Sequence, residues 1–317
     1  MPDILQIKNV SKKYSNHVAL NDVSLNVAEK SVFGLLGPNG AGKTSLIRII
    51  NQITGPDSGE IIFKGEKLNP KHVERIGYLP EERGLYKKMS VGDQVLYLAQ
   101  LKGLSKAEAK KRLNYWFEKF EMQSWWKKKI EELSKGMQQK VQFIVTVIHE
   151  PELLILDEPF SGFDPINAQL IKNEILELRK KGATVIFSTH NMGSVEELCD
   201  NIALINKSEK ILDGSVKDIR KTFRTNTFKI TFKGNLLGFT NALWTGAEIL
   251  DKHTEDEIHS VTLRLLNGVT SSQLLQAILP ICEIYSFNEL IPSMNDIFIM
   301  KVNQGNEVAG TKSNYTE

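Results

Sequence analysis

The stretch Gly37-Pro38-Asn39-Gly40-Ala41-Gly42-Lys43-Thr44 constrains this chain more than any other. It has the spacing Gly-x-x-x-x-Gly-Lys-Thr of a loop that wraps a phosphate. The apolar run Val32 to Leu36 before it reads as a buried strand, and Ser45-Leu46-Ile47-Arg48-Ile49-Ile50 after it reads as a helix. That strand-loop-helix setting is the one the motif requires. Glycines let successive N–H groups converge on one anion, and the helix N-terminus adds a partial positive charge. In such a loop Lys43 reaches the β- and γ-phosphates of a nucleotide, and Thr44 offers a hydroxyl to Mg²⁺.

Bulk properties narrow the class. With 317 residues there is room for one large domain and a small one, or for two middling ones. A chain that is 41% hydrophobic and 25% charged, with mean hydropathy -0.23, is expected to be an ordinary globular protein. Its longest apolar runs, 143–148 and 153–156, fall far short of the roughly 18 residues that cross a bilayer. The start, Met1-Pro2-Asp3-Ile4, has neither a basic nor an apolar leader segment, which predicts a cytosolic location. Cys199 and Cys282 lie far apart without a histidine pair nearby, which argues against a metal site or a disulfide framework. A net charge of +2 does not mark a nucleic-acid binder. The local runs Lys110-Lys111-Arg112 and Lys127-Lys128-Lys129 are more often solvated faces than polyanion sites.

Along the chain, 4–10 alternates and 18–27 is β-branched and apolar, so both read as antiparallel strands beside the strand at 32–36. Tyr14 falls between them, either as an exposed ring able to stack on a base or as a strand-end packing residue. Strands are predicted at 61–64 and 75–79. From about 84 to 150 the period becomes helical, which defines a helical insert. Trp125-Trp126 within it reads as helix packing before it reads as a membrane-surface contact. The run Leu153-Leu154-Ile155-Leu156-Asp157-Glu158 is a strand covered on both faces that ends in two carboxylates, where open α/β sheets bind ligands. The helix at 165–181, the strand at 184–188 ending in Thr189-His190, a helix at 195–199 and a strand at 202–205 continue an α/β alternation. Beyond 222, strands at 223–233, 258–266 and 281–287 and a helix at 271–279 predict a small α+β domain. The polar tail, 303–317, is expected to be disordered. The expected domains are therefore 1–220 and 221–302.

The companions of the phosphate loop carry a resemblance. Leu133-Ser134-Lys135-Gly136-Met137 resembles the Leu-Ser-Gly-Gly-Gln signature of the ATP-binding cassette (ABC) family, and from residue 4 to about 218 the motif order is similar to that family's nucleotide-binding domain. The resemblance implies a P-loop NTPase fold with an antiparallel β subdomain and a helical insert. It implies that ATP is bound by Tyr14, Gly37, Pro38, Asn39, Gly40, Ala41, Gly42, Lys43, Thr44, Ser45 and Glu81. Mg²⁺ would be held by Thr44, Asp157 and Glu81. Glu158 would be the catalytic carboxylate, with His190 as the switch histidine and Lys43 as the phosphate cation; Asp164 lies in the D-loop. In the family two domains pack head to tail, so Ser134, Lys135, Gly136 and Met137 would meet the partner's ATP in a homodimer or in a pairing with a similar subunit. Three positions depart from the pattern: Lys135 replaces a glycine, Met137 the terminal glutamine, and Glu81 the usual glutamine.

The segment Ile76-Gly77-Tyr78-Leu79-Pro80-Glu81-Glu82-Arg83-Gly84-Leu85-Tyr86, with the Lys135-Gly136-Met137 variant and the α+β appendage, is similar to bacterial sodium- and drug-export ATPase subunits. Their partners are separate membrane permeases of the ABC-2 type. That resemblance implies an exporter ATPase held peripherally at the inner face of the plasma membrane, with no nucleic-acid partner. Alternatives are a soluble ABC ATPase acting on ribosomes or nucleic acid, a non-hydrolysing regulatory subunit, and a GTPase in which Asn206-Lys207-Ser208-Glu209 would read guanine. For that last stretch a turn after a strand is the better reading.

Overall fold

The computed structural model describes residues 2–82, 84–243 and 245–311, with side chains described to residue 303. The chain divides between Val216 and Lys217 into a larger unit and a smaller one that extends to Met300, each considered by itself.

In the larger unit β1 (Asp3–Tyr14) and β2 (His17–Ala28) form a hairpin, and β3 (Val32–Leu36) runs toward α1 (Lys43–Ile50). Then come β4 (Ser58–Phe63), β5 (Glu66–Lys67) and β6 (Ile76–Leu79). The helical insert holds α2 (Val91–Leu101), α3 (Lys106–Lys119) and α4 (Lys135–Val147). Alternation resumes with β7 (Leu153–Asp157), α5 (Pro165–Lys180), β8 (Thr184–Ser188), α6 (Met192–Leu198), β9 (Asn201–Asn206) and β10 (Glu209–Ser215).

These strands make two sheets. One is antiparallel, in the order β2-β1-β4-β5; the other runs β10-β9-β3-β8-β7-β6 and is parallel except for β10. The first strands thus do not flank the phosphate-loop strand, as the alternation alone suggested. Both edges of β3 are taken by β8 and β9. Every residue of β3, β7 and β8 is buried, which is why those runs are apolar throughout rather than alternating. Ile4, Leu5, Ile7, Val10 and Phe63 from the antiparallel sheet share one core with Phe33, Leu35, Leu153 and Ile155.

Helix starts follow local chemistry. Ser90, Ser105, Ser134, Asp164 and Asn191 each stand one residue before a helix, and each side chain accepts a hydrogen bond from an N–H of the first turn. Glu152, just before β7, ties the two sheets. It accepts from Arg75 Nε and Lys64 Nζ, both at 2.5 Å, and lies one residue after Pro151. The Arg75 hydrogen bond, joined by Lys64, holds its carboxyl down at about 2.

The smaller unit starts with α7 (Val216–Thr222), which straddles the division. It continues as β11 (Thr227–Gly234), α8 (Leu236–Leu243), β12 (Ala247–Glu255), β13 (Ile258–Leu265), α9 (Ser271–Ile278) and β14 (Cys282–Glu289). The antiparallel sheet has the order β12-β13-β11-β14. Phe228, Ile230 and Phe232 alternate along β11 into a core with Phe239 from α8 and Leu274 and Ile278 from α9. Phe232 stacks on Phe239 with ring centres 4.3 Å apart. Both α8 and β12 escaped the sequence reading. Residues 250–255 of β12 are all exposed, so this edge strand has no apolar alternation to detect.

The tail also differs from expectation. The last helix, α10 (Met294–Thr311), carries residues 303–311 that were expected to be disordered, and 312–317 lie outside the described residues. Its start explains the persistence. Ser293 Oγ accepts from Asp296 N, Asp296 accepts from Ser293 N, and Met294 and Ile297 are buried.

Two outcomes test this packing. Phe232→Ala should cost about 3–5 kcal/mol in urea unfolding; a loss below about 1 kcal/mol would contradict a packed core. Glu152 is protonated near 4.5 when unfolded and near 2 when folded, so its stabilisation is full above 4.5 and is lost as pH falls toward 2. Thermal midpoints of Glu152→Gln should therefore be lower than wild type at neutral pH and fall less steeply on acidification below 4.5.

Candidate functional site

The phosphate loop is bent by contacts that only glycine permits. At Gly37, with φ +150°, a Cβ would lie 2.1 Å from the Ile205 carbonyl oxygen. At Gly42, with φ +117°, it would lie 2.2 Å from the Ala19 carbonyl oxygen. The β9–β10 hairpin braces the loop from outside. Lys207 and Ser208 take the positive φ values of a tight hairpin turn, Ser208 N donates to Ala41 O at 3.1 Å, and Ser208 Oγ donates to Val18 O at 2.6 Å. Asn206-Lys207-Ser208-Glu209 is thus a structural turn.

Lys43 is buried, and its Nζ donates to the carbonyls of Gly37 and Pro38 at 2.7 and 3.0 Å. Burial pulls its pKa down, against the opposing pull of Glu158, Asp157 and Glu81. Thr44 is exposed at the start of α1 and Ser45 is half-buried.

Across the loop, register places the acidic groups. Asp157 pairs with Ser188, and Ser188 Oγ donates to Asp157 Oδ1. Burial raises the Asp157 carboxyl's pKa, and the Ser188 bond opposes that rise. Glu158 follows with φ +47°, a conformation that costs a side chain energy and recurs at functional sites. Its Oε1 accepts from His190 N at 3.1 Å and pairs with His190 Nδ1 at 2.7 Å, while Oε2 accepts from Thr189 Oγ1 at 3.2 Å. These bonds aim the carboxylate.

A cavity of about 350 Å³ unites these groups, lined by Tyr14, His17, the loop from Asn39 to Ser45, and Glu81, Asp157, Glu158 and His190. Tyr14 is 39% exposed. Pro38 adjoins through its carbonyl bond to Lys43. A larger cavity, about 710 Å³, includes Arg112, Tyr115, Pro151 and Ala183 but none of the motif residues. It touches the segments entering β7 and β8, the opposite end of the sheet from the carboxylates.

The signature residues are not brought to the cavity. Ser134 caps α4, accepting from Met137 N at 3.3 Å, with Lys135 and Gly136 in the same first turn. Asp164 caps α5, accepting from the N–H groups of Ile166 and Asn167 at 3.0 Å each; those backbone bonds hold its carboxyl down. The helix α4 nevertheless touches both neighbouring loops. Gln139 Nε2 donates to Ser161 O, and Gln142 Nε2 to Pro80 O at 3.4 Å. Gln139, Gln142, Ser188, Thr189 and His17 were missed from the sequence. For Ser188-Thr189 the signal was their place at the end of the strand beside β7; for His17, its nearness to Tyr14. The glutamines carry no motif of their own.

Comparison with known proteins agrees with this geometry. The family model described as ABC transporter matches residues 20–161, and that described as ATP-binding protein DrrA1-3-like, C-terminal domain, matches 214–302. The uncharacterized ABC transporter ATP-binding protein YhaQ of Bacillus subtilis is 42% identical over 300 residues, 94% of this chain and 98% of its own. Linearmycin resistance ATP-binding protein LnrL of the same organism is 33% identical over 266 residues, 83% of this chain and 84% of its own. A solved ATP-binding subunit of an ABC transporter superposes with TM-score 0.65 at 32% identity, covering 69% of this chain and 93% of that one.

The fold and site are those of an ATPase of the P-loop class. Within that class the chain belongs to the ATP-binding proteins of ABC transporters.

The loop geometry yields one expected outcome. Gly42→Ala forces a Cβ onto the Ala19 carbonyl and should lower ATP affinity about 5- to 150-fold, the effect of a strain of roughly 1–3 kcal/mol. Titration with a fluorescent ATP analogue measures it, and unchanged affinity would show that the loop relaxes freely.

Proposed function

We propose that the chain is the ATP-hydrolysing subunit of an exporter, and that two copies close head to tail around ATP to drive a separate membrane permease. The observation that carries this reading is the single cavity in which Lys43 faces Asp157 and Glu158, with Glu158 held by His190.

Hydrolysis transfers the γ-phosphoryl group to water, so the protein must position a water and offset charge on the phosphates. Lys43 exchanges its two carbonyl partners for phosphate oxygens, and the backbone of the loop around it supplies N–H donors, Ala41 N excepted, which already donates to Pro38 O at 3.2 Å. Glu158 orients the attacking water and takes its proton, because three hydrogen bonds from Thr189 and His190 fix the carboxylate. The His190 imidazole, 75% exposed, donates to the γ-phosphate through Nε2 in its doubly protonated form, the one form that can also donate from Nδ1 to Glu158. Thr44, Asp157 and Glu81 line the cavity with hard oxygen donors that suit Mg²⁺; bound there, it would neutralise phosphate charge. Among the described residues no cluster of three or more His, Cys, Asp and Glu forms a protein-only metal cage. An ion held largely by phosphates and water needs none. The second copy supplies Ser134, Lys135, Gly136 and Met137 from the N-terminus of its α4.

The exporter reading rests on relatives. LnrL of Bacillus subtilis is described as a linearmycin resistance ATP-binding protein, and SrtF of Streptococcus pyogenes as a lantibiotic transport ATP-binding protein. The helical insert and the loop after Glu81 are the proposed permease contact, and the permease keeps the chain at the inner face of the membrane. Among the described residues no helix is long and apolar enough to cross a bilayer.

Glu158→Gln separates binding from chemistry. Purified Glu158→Gln should lose about 10²- to 10⁴-fold in ATP turnover yet bind Mg-ATP and shift to dimer mass on gel filtration. Turnover within about twofold of wild type would remove Glu158 from the mechanism.

A further inference from the structure

Two lysine runs far apart in sequence meet in the helical insert. Ser90 and Lys129 form an antiparallel bridge. Val91 N donates to Lys128 O at 2.9 Å, Ile130 N to Met89 O at 3.1 Å, and Glu131 N to Lys87 O at 3.0 Å. Trp126 locks the pairing. Its ring packs edge-on to Phe117 at 5.6 Å and covers Gly92 so closely that a Cβ there would lie 2.5 Å from it. The packing expectation for this tryptophan is thereby met, and its partner run is pinned in place.

The paired segments 86–90 and 125–130 contain five lysines, Lys87, Lys88, Lys127, Lys128 and Lys129, with no carboxylate and no arginine. All five are exposed, and among the described residues none is in an ion pair. The nearest acids in sequence are Asp93, Glu131 and Glu132. Glu132 accepts from Lys129 N at 2.9 Å and Asp93 from Ser90 Oγ at 2.6 Å, while Glu131, which belongs to the pairing through its N–H on Lys87 O, has an exposed side chain. Tyr86, which directly precedes Lys87, lies 6.5 Å from Tyr97 on α2, and both rings are about half exposed at 54% and 46%. Leu101, one turn farther along α2, is 62% exposed.

We propose that this lysine and tyrosine face, which lies within the insert assigned above to the permease contact, binds the surface of an anionic phospholipid bilayer directly when no permease covers it. Five exposed ammonium groups on two backbone-paired segments offer repeated contacts to a sheet of lipid phosphates. Tyrosine rings with polar tips suit the headgroup level, and an exposed leucine adds apolar contact. Nucleic acid fits less well, because neither segment offers the arginine fork that grips phosphates and stacks on bases.

Sedimentation of the full chain with vesicles tests this without any permease. The protein should pellet with phosphatidylcholine vesicles that contain phosphatidylglycerol, not with phosphatidylcholine alone, and added salt should release it. The triple variant Lys127→Gln, Lys128→Gln, Lys129→Gln should bind at least about tenfold more weakly. A control with the same change in charge, Lys8→Gln, Lys67→Gln, Lys71→Gln, should bind like wild type. Failure to bind either vesicle, equal binding to the neutral one, equal loss in the control, or preference of the same face for an RNA duplex would each overturn the proposal. ATP binding measured on the same samples shows that every variant is folded, and a negative vesicle result leaves the ATPase reading standing.

Discussion

The site depends on the buried parallel pairing of β3, β8 and β7. Parallel strands in register end at the same edge, so the phosphate loop after β3, Asp157-Glu158 after β7 and Thr189-His190 after β8 emerge side by side. Burial on both faces helps hold that register, since the apolar run 153–156 is flanked by charges and a slip would draw Glu152 or Glu158 into the core. The Ser188 bond to Asp157 is a direct product of the pairing, because the two residues are register partners. The geometry of the site is sheet geometry carried up to two residues past the strand ends.

That dependence explains what could be read in advance. The phosphate loop was legible because backbone curvature at Gly37 and Gly42 and the charge of Lys43 leave few residue types that work. Asp157 and Glu158 were legible because an apolar run of strand length broke off into two acids. The partition into two sheets was not, since an alternating strand such as β1 shows which of its faces is buried but not which strand it joins. Likewise β12 has an exposed edge and α8 only two fully buried side chains, so neither had a period to detect. The helical tail to Thr311 escaped because its anchor, Met294 and Ile297, precedes the polar stretch that was judged alone.

The helix α4 shows how one element connects sites that its own chain does not bring together. Its N-terminus bears Ser134, which caps the helix away from the cavity. One face, however, hydrogen-bonds the loops that flank the cavity, with Gln139 on Ser161, Gln142 on Pro80, and Thr146 on Tyr78 at 3.4 Å. Those positions recur at helical spacing, so they move as a rigid row.

Charge within the cavity sets what can enter it. Glu81, Asp157 and Glu158 present three carboxyl groups against Lys43. Burial favours a neutral amine at Lys43, but the three acids favour the cation, and two carbonyl bonds satisfy its protons meanwhile. Burial likewise raises the Asp157 carboxyl, so the pocket already resists its own negative charge. A triphosphate would add still more, so it needs accompanying cations to enter. Under the proposed arrangement these are Mg²⁺ beside Thr44 and Asp157 and, from the second copy, Lys135. The two charged departures from the family pattern then offset each other: Glu81 adds a negative charge within the cavity, and Lys135 adds a positive one at the helix end that would close over it.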